Sequence, residues 1–339
     1  MKLITQKVGK RYKFMNVIER LKFNIDLIKK ENPKKSNLNI LCDMSYNVLV
    51  HGLTFAEYRK ANYINLTKEE KKKCLTRREY KKVINYLDDQ RYTNIFLDKI
   101  LFNKIFRNYI GREYIDIRNT SYKDFEKFVK DKEIFFVKKH NSFGGDGVEK
   151  VINKDLDYKE LYKKLFETKQ YLVEEAIIQH AYLDKINPRA VNNVRIVTLV
   201  KDGEVSIVGS VLRISNGEED ALSHGEIIQT LDESGNAISN AYNDYFKKFS
   251  KHPTTKFDFK TTKIPYMKEA IKLVKSAALE VPEVRYIGWD VAISEKGPLL
   301  IEGNYFPSTG LHQYYSINKD FYFKKTLQDV LKEEYNNIK

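Results

Sequence analysis

The chain is poor in cysteine, proline and glycine, and it has no long apolar run. Its 339 residues include 2 Cys, 7 Pro and 15 Gly, which excludes collagen-like and low-complexity chains. Charged residues make up 31% and hydrophobic residues 42% of the sequence, a balance that argues against intrinsic disorder. No window approaches the roughly 18–20 uninterrupted apolar residues that a membrane-spanning helix needs. We therefore expect a soluble globular protein with no membrane span.

The cysteines and the first residues of the chain both favour a reducing compartment. Cys42 and Cys74 can form at most one disulfide, and they lack CxxC or Cys/His metal-binding spacing. Residues Met1–Phe14 intersperse lysine with apolar residues and lack the apolar core of a secretory signal peptide. We expect two reduced thiols and a cytoplasmic protein.

Positive charge is in excess, with 60 Lys and Arg residues against 46 Asp and Glu and a net charge of +14. A clustered excess of this kind would indicate a nucleic-acid backbone as the partner. Here the positive residues are dispersed in short runs such as 71–73 and 138–139, and the sequence has no zinc-finger, RRM, KH or helix-turn-helix signature. We expect a solvated lysine-rich surface and no nucleic-acid partner.

The first hundred residues are predicted to be mainly helical. Apolar residues recur at helical spacing over Met15–Ile28, and this helix should end before Pro33 because proline disfavours helical geometry in the preceding residue. Thr67 and Thr76 are each followed three residues later by Glu, which is the capping-box pattern of a helix start. The second box predicts a lysine-rich helix over Arg77–Leu87.

Beyond Asp98, predicted strands alternate with predicted helices. Asp202-Gly203 suits a tight turn because both residues tolerate positive φ, so the strands on either side should form a hairpin. A second hairpin is predicted to turn at Glu295-Lys296-Gly297. The predicted strands are Glu133–Lys138, Tyr171–Glu175, Arg195–Val200, Glu204–Arg213, Tyr286–Ser294 and Leu299–Asn304, and the predicted helices are Leu156–Phe166, Pro265–Val281 and Asn318–Tyr335.

The second hairpin carries the most specific chemistry. Glu302 and Asn304 lie two apart on a strand and so share a face, and counting back through the turn places Asp290 nearly opposite them. Three oxygen-bearing side chains would then converge, and Mg²⁺ prefers oxygen ligands when it also binds substrate phosphates. Spacing alone leaves an alternative open, in which the two carboxylates are exposed and the asparagine caps the strand end.

Two other segments could bind a nucleotide. Lys138 ends an apolar strand and leads into the glycine-rich loop Ser142–Gly147, which could present backbone N–H groups and a positive charge to phosphates. The apolar strand Tyr171–Glu175 ends in paired acids and could lend its backbone to an adenine edge. Taken separately, an ordinary hairpin turn and a plain edge strand explain these two segments equally well.

The order of these segments is more informative than any one of them. In this order and at this spacing, the sequence resembles the ATP-grasp superfamily and, more closely, its sugar-transfer-associated branch over roughly residues 98–313. Asn193 stands where that branch commonly has threonine, which leaves the role of this residue open. The branch resemblance rests on Gln179-His180, Asn187-Pro188, Val191-Asn192, Arg195-Ile196-Val197-Thr198, Val211-Leu212-Arg213, Ile287-Gly288-Trp289-Asp290 and Ile301-Glu302-Gly303-Asn304, with Gln313 downstream.

The resemblance implies an α+β ATP-grasp fold, in which two α+β subdomains clasp ATP between them after a mainly helical N-terminal region. The implied boundaries place the N-terminal region in residues 1–97, the first subdomain in residues 98–180 and the second in residues 181–339. The first subdomain would hold the phosphate lysines, the glycine-rich loop and the adenine strand. The second would hold the magnesium site and a C-terminal helix.

Carried over residue by residue, the resemblance implies ATP and Mg²⁺ as cofactors. Lys99 and Lys138 would contact the ATP phosphates, with Lys104 as an alternative to Lys99, and Glu174 would approach the amino group of the adenine. The implied ATP-binding residues are Lys99, Lys138, Ser142, Gly144, Gly145, Gly147, Glu174, Glu175 and Ile177, and the implied magnesium ligands are Asp290, Glu302 and Asn304.

Two arginines on neighbouring strands of the first hairpin are the predicted catalytic residues. The guanidinium groups of Arg195 and Arg213 suit a carboxylate or a transferring phosphoryl group because each can bind two oxygens, although a cross-strand surface charge is the alternative. The predicted substrate contact His224 could equally be an ordinary exposed loop residue. The full set of predicted substrate contacts is Asn192, His224, Ser308 and Gln313.

Enzymes of this superfamily usually activate a carboxylate as an acyl phosphate and couple it to an amine or another nucleophile. The resemblance therefore implies an ATP- and Mg²⁺-dependent carboxylate–amine ligase. Its partners would be a small-molecule carboxylate and an amine or saccharide acceptor, in the modification of a cell-surface polysaccharide or a saccharide precursor. Two alternatives stay open, namely an ATP-grasp small-molecule kinase and a non-catalytic basic binding protein.

Overall fold

A computed structural model of the protein describes residues 15–142, 147–216, 226–243, 247–307 and 323–338. Within these ranges the N-terminal part is helical, and the rest combines helices with a four-stranded and a seven-stranded sheet. Every strand pairing within the two sheets is antiparallel. The predicted α+β class with a helical N-terminal region is confirmed.

The N-terminal helices begin and end at sequence signals. The first helix ends at Glu31, before Pro33, and both predicted capping boxes are present, at Thr67 with Glu70 and at Thr76 with Glu79. The last of these helices has the predicted bounds. The five helices are α1 (Val17–Glu31), α2 (Asn37–His51), α3 (Phe55–Lys60), α4 (Lys68–Lys73) and α5 (Arg77–Leu87), with a 3-10 turn at Tyr63–Asn65.

These five helices do not form one packing unit. Helices α1 to α3 and the turn that follows them bury Ile25, Met44 and Tyr58 in a hydrophobic core of their own. Helix α5 instead buries Tyr80 and Leu87 against the seven-stranded sheet and the C-terminal helix. The packing thus ties part of the predicted N-terminal region to the larger sheet, while the two predicted boundaries between the three regions stay predictions.

The four-stranded sheet has the order β1-β4-β2-β3. One of its faces packs on two helices through Phe135, Val137 and Val173. Because side chains alternate along a strand, Lys138 and Glu174 lie on the opposite face. This lobe contains β1 (Tyr114–Asp116), a 3-10 turn (Ile117–Asn119), α8 (Tyr122–Lys130), β2 (Ile134–Lys138), β3 (Val148–Ile152), α9 (Tyr158–Glu167) and β4 (Leu172–Glu175). The two helices that precede it in the chain, α6 (Asn94–Leu97) and α7 (Lys99–Ile105), pack their aromatic side chains on the larger sheet.

The seven-stranded sheet has the order β11-β10-β5-β6-β7-β8-β9. The turn between β5 and β6 has Asp202 at φ 50° and Gly203 at φ 79°, so the positive φ values expected for a tight hairpin are observed. This lobe contains α10 (Ala181–Ile186), β5 (Asn193–Lys201), β6 (Glu204–Ile214), β7 (Ile227–Leu231), β8 (Ala241–Asn243), β9 (Lys248–Phe249), a 3-10 turn (Phe259–Thr261), α11 (Met267–Ala278), β10 (Tyr286–Ser294), β11 (Gly297–Asn304), α12 (Phe323–Leu331) and α13 (Glu333–Asn337).

The two faces of this sheet have different roles. One face buries Ile196, Leu212 and Trp289 against α11 and the aromatic side chains of α6 and α7, and Trp289 is fully buried. The other face is covered at one end by α5 and α12, and its charged side chains, among them Arg195 and Asp290, lie further along the strands. The larger core thus supports one face and leaves charged groups on the other.

The structure differs from the sequence prediction in one helix and in several strands. The predicted helix Asn318–Tyr335 is wrong in its C-terminal part, because Lys332 at φ 52° ends α12 and a separate short helix follows. Residues 318–322 lie outside the described part of the chain. Strands β1, β3, β7, β8 and β9 were not predicted from the sequence. Within the described ranges, the helices are too short or too polar for any of them to cross a membrane.

Candidate active site

The hairpin of β10 and β11 brings together the residues that were predicted to bind magnesium. Asp290 lies directly opposite Glu302, and Gly288 lies opposite Asn304, so the three polar side chains share one face as the spacing indicated. The pairing register shifts after Asp290, because Leu300 lies opposite Val291 and Ile301 is an extra residue. This β-bulge immediately precedes Glu302 and Asn304, the two predicted ligands on β11, and bulges commonly re-aim side chains near functional sites.

Close packing of two aromatic rings on Gly303 of β11 places Lys99 beside this hairpin. A Cβ atom on Gly303 would lie 2.8 Å from the ring of Phe96 and 3.0 Å from that of Phe102, so only glycine lets α6 and α7 pack this closely on β11. Lys99, the first residue of α7, therefore faces the hairpin. A small cavity of about 70 Å³ is lined by Phe96, Lys99, Phe102, Ser142, Glu302, Gly303 and Asn304.

Lys99 also connects α7 to the start of the glycine-rich loop. Its backbone N–H donates to the carbonyl oxygen of His140 at 2.8 Å, and its ammonium group donates to the carbonyl oxygen of Ser142. Burial lowers the pKa of Lys99, and nearby Lys138 lowers it further, whereas the carboxylates of Glu302 and Glu174 act in the opposite direction. Lys99 thus lies among the groups predicted to surround the ATP phosphates.

The alternative phosphate lysine has a different position. Lys104 lies near the end of α7 and is exposed, and it does not line the cavity beside Glu302. The geometry therefore favours Lys99 over Lys104, although contact with ATP phosphates stays a prediction for either residue.

Arg195 and Arg213 both bind Asp290. Arg195 donates to both carboxylate oxygens of Asp290, with Nη2 2.8 Å from Oδ2, and Nη1 of Arg213 donates to the same Oδ2 at 3.0 Å. The remaining nitrogens of Arg213 donate to Glu226 at 2.9 and 3.0 Å. The predicted cross-strand pair is therefore a buried network of two arginines and two carboxylates on the face that carries Glu302.

This network changes the charge state and the ligand capacity of Asp290. Burial alone would raise the pKa of Asp290, but the two guanidinium groups outweigh burial and hold the pKa of this carboxyl below its usual range. A carboxylate offers about four lone pairs, and three N–H groups occupy three of those of Asp290. About one lone pair is left for another ligand.

The donor set fits a magnesium ion. Glu302 and Asn304 are half-buried, line the cavity with Lys99 and contribute a carboxylate and an amide oxygen, to which Asp290 adds its remaining lone pair. Among the described residues, no group of three or more His, Cys, Asp or Glu side chains could hold a metal ion. The set at this hairpin has only two such side chains, Asp290 and Glu302, because its third oxygen donor is the amide of Asn304. These three residues could therefore hold the metal together with substrate phosphates.

Glu174 is the centre of a second buried charge cluster. Its Oε1 accepts hydrogen bonds from Asn103 at 2.6 Å and from Arg112 at 2.8 Å, and its other oxygen pairs with Lys138. Burial alone would raise the pKa of Glu174, but Arg112 and Lys138 outweigh burial and hold this pKa well below its usual range. Glu174 is 2% exposed, and its three partners occupy both of its carboxylate oxygens. In the structure these oxygens are therefore not open to the adenine amino group that Glu174 was predicted to approach.

A larger cleft lies where the adenine was predicted to bind. It has a volume of about 460 Å³ and runs beside the end of β4, at Glu175 and Ile177. Phe136 lines the cleft from the face of β2 that also carries Lys138. A flat base could bind in this cleft, beside the backbone that follows the end of β4. The contact of residues 175–177 with adenine stays a prediction.

Asn192, a predicted substrate contact, lies in a buried network of hydrogen bonds. Its side chain is fully buried, and its amide donates to Gln179 Oε1 and to the carbonyl oxygens of Leu183 and Asn187 at 2.8–3.1 Å. Gln179 in turn accepts from the backbone N–H of Asn192 and donates to Asp184, Asn187 and Ala190. These motif residues hold the segment between β4 and β5 together, so the side chain of Asn192 has a structural role, and its contact with substrate stays a prediction.

The sequence profile of the sugar-transfer associated ATP-grasp family matches residues 75–319, which is most of the chain. The protein belongs to the sugar-transfer associated ATP-grasp family. It therefore has the ATP-grasp fold that the order of its motifs predicted. The matched region of this ATP-grasp protein includes α5, the N-terminal helix that packs on the seven-stranded sheet. The chain matches no curated protein.

Three solved structures resemble the chain at low sequence identity. D-alanine–D-alanine ligase from Bacillus anthracis is 15% identical over 72% of this chain and 68% of its own, with a TM-score of 0.42. The ATP-grasp ligase PsnB, solved with a precursor variant, Mg and ADP, is 13% identical over 74% and 61%, with a TM-score of 0.45. N5-carboxyaminoimidazole synthetase from Staphylococcus aureus, solved with ADP, is 13% identical over 69% and 51%, with a TM-score of 0.44.

The structure describes two residues of the predicted glycine-rich loop of this ATP-grasp protein, whereas several other predicted residues lie outside the described part of the chain. Gly147 is described and has φ 69°, and a Cβ atom there would lie 2.7 Å from the side chain of Lys139, so this loop position requires glycine. Ser142 is described and is buried. The predicted residues outside the described ranges are Gly144, Gly145, His224, Ser308 and Gln313.

Four residues of the site were not predicted from the sequence. Glu226 binds Arg213, and Asn103 and Arg112 bind Glu174. Asn193 is buried on the same face as Arg195, and no described residue donates a hydrogen bond to its side-chain oxygen. The alternation of β5 could have indicated Asn193, because it lies two residues before Arg195. Glu226, Asn103 and Arg112 have no such signal, since each meets its partner only through the tertiary fold.

Proposed function

We propose that this protein is an ATP- and Mg²⁺-dependent ligase that activates a carboxylate as an acyl phosphate and couples it to an amine or another nucleophile. One observation carries the proposal. Arg195, Arg213, Asp290, Glu302 and Asn304 share one face of the larger sheet, and Lys99 of α7 faces the last two across a small cavity. Cations and hard oxygen donors are thus arranged around one volume.

The ATP side of the site combines the four-stranded sheet with α7. The ammonium groups of Lys99 and Lys138 would contact the phosphates, and the backbone of residues 175–177 would hold the adenine in the cleft beside β4. Phosphoryl transfer requires little covalent work from a protein, because positioning and charge neutralisation supply most of the acceleration. The low pKa of buried Lys99 matters here, because binding the phosphates would stabilise its charged form.

The acceptor side is built from the second lobe. A magnesium ion held by Asp290, Glu302 and Asn304 would neutralise phosphate charge during transfer. Arg195 and Arg213 are already fixed by Asp290 and Glu226, so their guanidinium groups are oriented before substrate binds. A fixed guanidinium next to the phosphates would orient the carboxylate for attack on the γ-phosphate and then stabilise the acyl phosphate.

The acceptor class follows from the family. The family description associates ATP-grasp proteins with sugar transfer, which supports a saccharide or a saccharide precursor as one of the two substrates. We propose a uronic acid or amino acid as the carboxylate and an amine or amino sugar as the nucleophile. Such a reaction would modify a cell-surface polysaccharide or its precursor in the cytoplasm.

The test is a screen of carboxylates and amines with Mg·ATP. Production of ADP and phosphate that requires both substrates, with formation of the coupled product, is the expected result. Hydroxylamine in place of the amine should trap the acyl phosphate as a hydroxamate. Release of AMP and pyrophosphate would contradict the acyl-phosphate route, and a stable phosphoester that gives no hydroxamate would make the protein a kinase.

A binding measurement separates these enzymes from a non-catalytic binding protein. Mg·ATP should raise the melting temperature of the natural protein, and Glu302→Gln should remove most of that increase because it deletes a metal-binding charge. Glu295→Gln is a suitable control, because Glu295 is an exposed carboxylate in the turn of the same hairpin. Failure of Mg·ATP to stabilise even the natural protein would contradict the proposal and favour the binding protein.

A further inference from the structure

Arg112 connects the two lobes at the point where the predicted metal ligands begin. It follows Gly111 in the segment between α7 and β1, and its side chain is 3% exposed. One of its terminal nitrogens, Nη1, donates to the carbonyl oxygens of Leu300 at 2.6 Å and Ile110 at 3.2 Å. The other, Nη2, donates to the carbonyl oxygen of Ile301 at 3.2 Å and to Glu174 at 2.8 Å.

The carbonyl oxygens of Leu300 and Ile301 belong to the β-bulge of β11. Ile301 is the extra residue, so Leu300 lies opposite Val291 while Glu302 lies opposite Asp290. Because side chains alternate along a strand, a strand without the extra residue would bring Ile301 opposite Asp290 and turn Glu302 to the other face. The bulge therefore decides that Glu302 and Asn304 share a face with Asp290.

The same guanidinium also belongs to the charge cluster of the first lobe. Glu174, to which it donates, also pairs with Lys138, the second predicted phosphate lysine. A single planar group thus touches the strand that carries the metal ligands and the carboxylate that orients a nucleotide-binding lysine. The forked geometry is essential, since a lysine ammonium could keep the charge beside Glu174 but could not reach both carbonyl oxygens as well.

We propose that Arg112 is a positioning residue that holds the bulge at Ile301 and thereby aims Glu302 and Asn304 at the metal. It does not touch ATP or the metal itself. Through Glu174 it also ties the position of these ligands to that of Lys138, so that metal binding and nucleotide binding support each other. This inference rests on the proposed function, because it assumes that Mg²⁺ and ATP bind at this site.

The test compares Arg112→Lys with the natural full-length protein. Calorimetric titrations measure the dissociation constant of ADP without metal, and that of Mg²⁺ for the protein·ADP complex. Partners that orient metal ligands contribute about 10–100-fold to metal affinity, so R112K should weaken Mg²⁺ binding by about that factor. Metal-free ADP binding should change little, because the lysine keeps the positive charge beside Glu174. Arg107→Lys, at an exposed arginine of the same segment, is the matched control and should bind like the natural protein.

Each other outcome overturns the inference. Unchanged Mg²⁺ affinity in R112K would show that the bulge holds without the fork, and an equal loss of metal-free ADP binding would show a general defect of the site. Should R112K not fold, Arg112→Gln is measured in the same way, and failure of both variants to fold makes Arg112 a determinant of folding instead. Failure of the natural protein to bind ADP with Mg²⁺ would remove the proposed function and this inference together.

Discussion

The guanidinium of Arg195 lies against the carboxylate of Asp290, with Nη2 2.8 Å from Oδ2, and both side chains are buried. A predicted catalytic arginine and a predicted metal ligand are thus each other's partners. Arg213 donates to the same oxygen and continues the network to Glu226. Asp290 is thus a partner in a buried ion-pair network as well as a predicted metal ligand, whereas Glu302 and Asn304 make no close ion pair among the described residues.

Asp290 and Glu302 should therefore respond differently to loss of charge. Asp290→Asn leaves two buried guanidinium groups with one carboxylate, and breaking a buried pair in this way costs about 3–5 kcal/mol. Glu302→Gln should change the free energy of unfolding by less than about 1 kcal/mol, because it breaks no such pair. Both variants should lose ATP turnover. Urea unfolding measures the difference, and equal stability of the two variants would contradict the network.

The two lysines of α7 offer a matched pair of substitutions. Lys99→Ala removes the ammonium that faces Glu302 across the small cavity, and Lys104→Ala removes an exposed ammonium on the same helix. We expect Lys99→Ala to lower kcat/KM for ATP by about 100-fold or more, as for other groups that neutralise phosphoryl charge. Lys104→Ala should stay near the natural value. Steady-state kinetics with varied ATP decide between them, and a larger effect at Lys104 would reverse the assignment.

Asp88 makes the stability of the protein depend on pH. Burial raises the pKa of Asp88 to about 7, although its carboxylate accepts a hydrogen bond from the backbone N–H of Tyr286. A carboxyl whose folded pKa lies above its unfolded pKa contributes stability below the unfolded value, near 3.9, and loses that stability as pH rises to about 7. We expect a loss of roughly 2–4 kcal/mol from this group over that interval.

Asp88→Asn isolates this contribution, since asparagine is neutral at every pH and keeps an acceptor oxygen. The difference in unfolding free energy between the natural protein and Asp88→Asn should grow steadily from pH 4 to pH 7 and then stay constant. Groups with lowered pKa values, such as Glu174 and Asp290, act with the opposite sign in both proteins and cancel in the difference. A difference that does not vary with pH would contradict the assignment.

Substitution of Asn192 separates a structural role from the predicted substrate contact. Asn192→Ala removes buried hydrogen bonds to Gln179 and to the carbonyl oxygens of Leu183 and Asn187, each worth about 0.5–1.5 kcal/mol, although both carbonyl oxygens keep another donor. We expect lower stability with KM for the acceptor nearly unchanged. Thermal unfolding and acceptor kinetics on the same preparation check both statements, and a raised KM at unchanged stability would favour the substrate role.

Local sequence signals predicted much of the fold. Thr67 and Thr76 begin helices because each satisfies free amide groups together with the glutamate three residues later, which needs no distant partner. Asp202-Gly203 turns the first hairpin for a similarly local reason. Strands β7 to β9 have no such signal, because their burial depends on β6 beside them, and the helix break at Lys332 is equally invisible in the amphipathic pattern.

The sequence by itself determined the motif order that identifies the family and the shared face of Glu302 and Asn304, since these follow from residue types, spacing and alternation along a strand. The β-bulge at Ile301 decided that this face is also the face of Asp290. Tertiary structure alone decided which charges are already paired. Arg112 meets Glu174 and the bulge at Ile301 across long sequence separations, and Glu226 meets Arg213 across two neighbouring strands. The reason is that electrostatic partners are set by distance in space and by burial, and neither can be read from spacing along the chain.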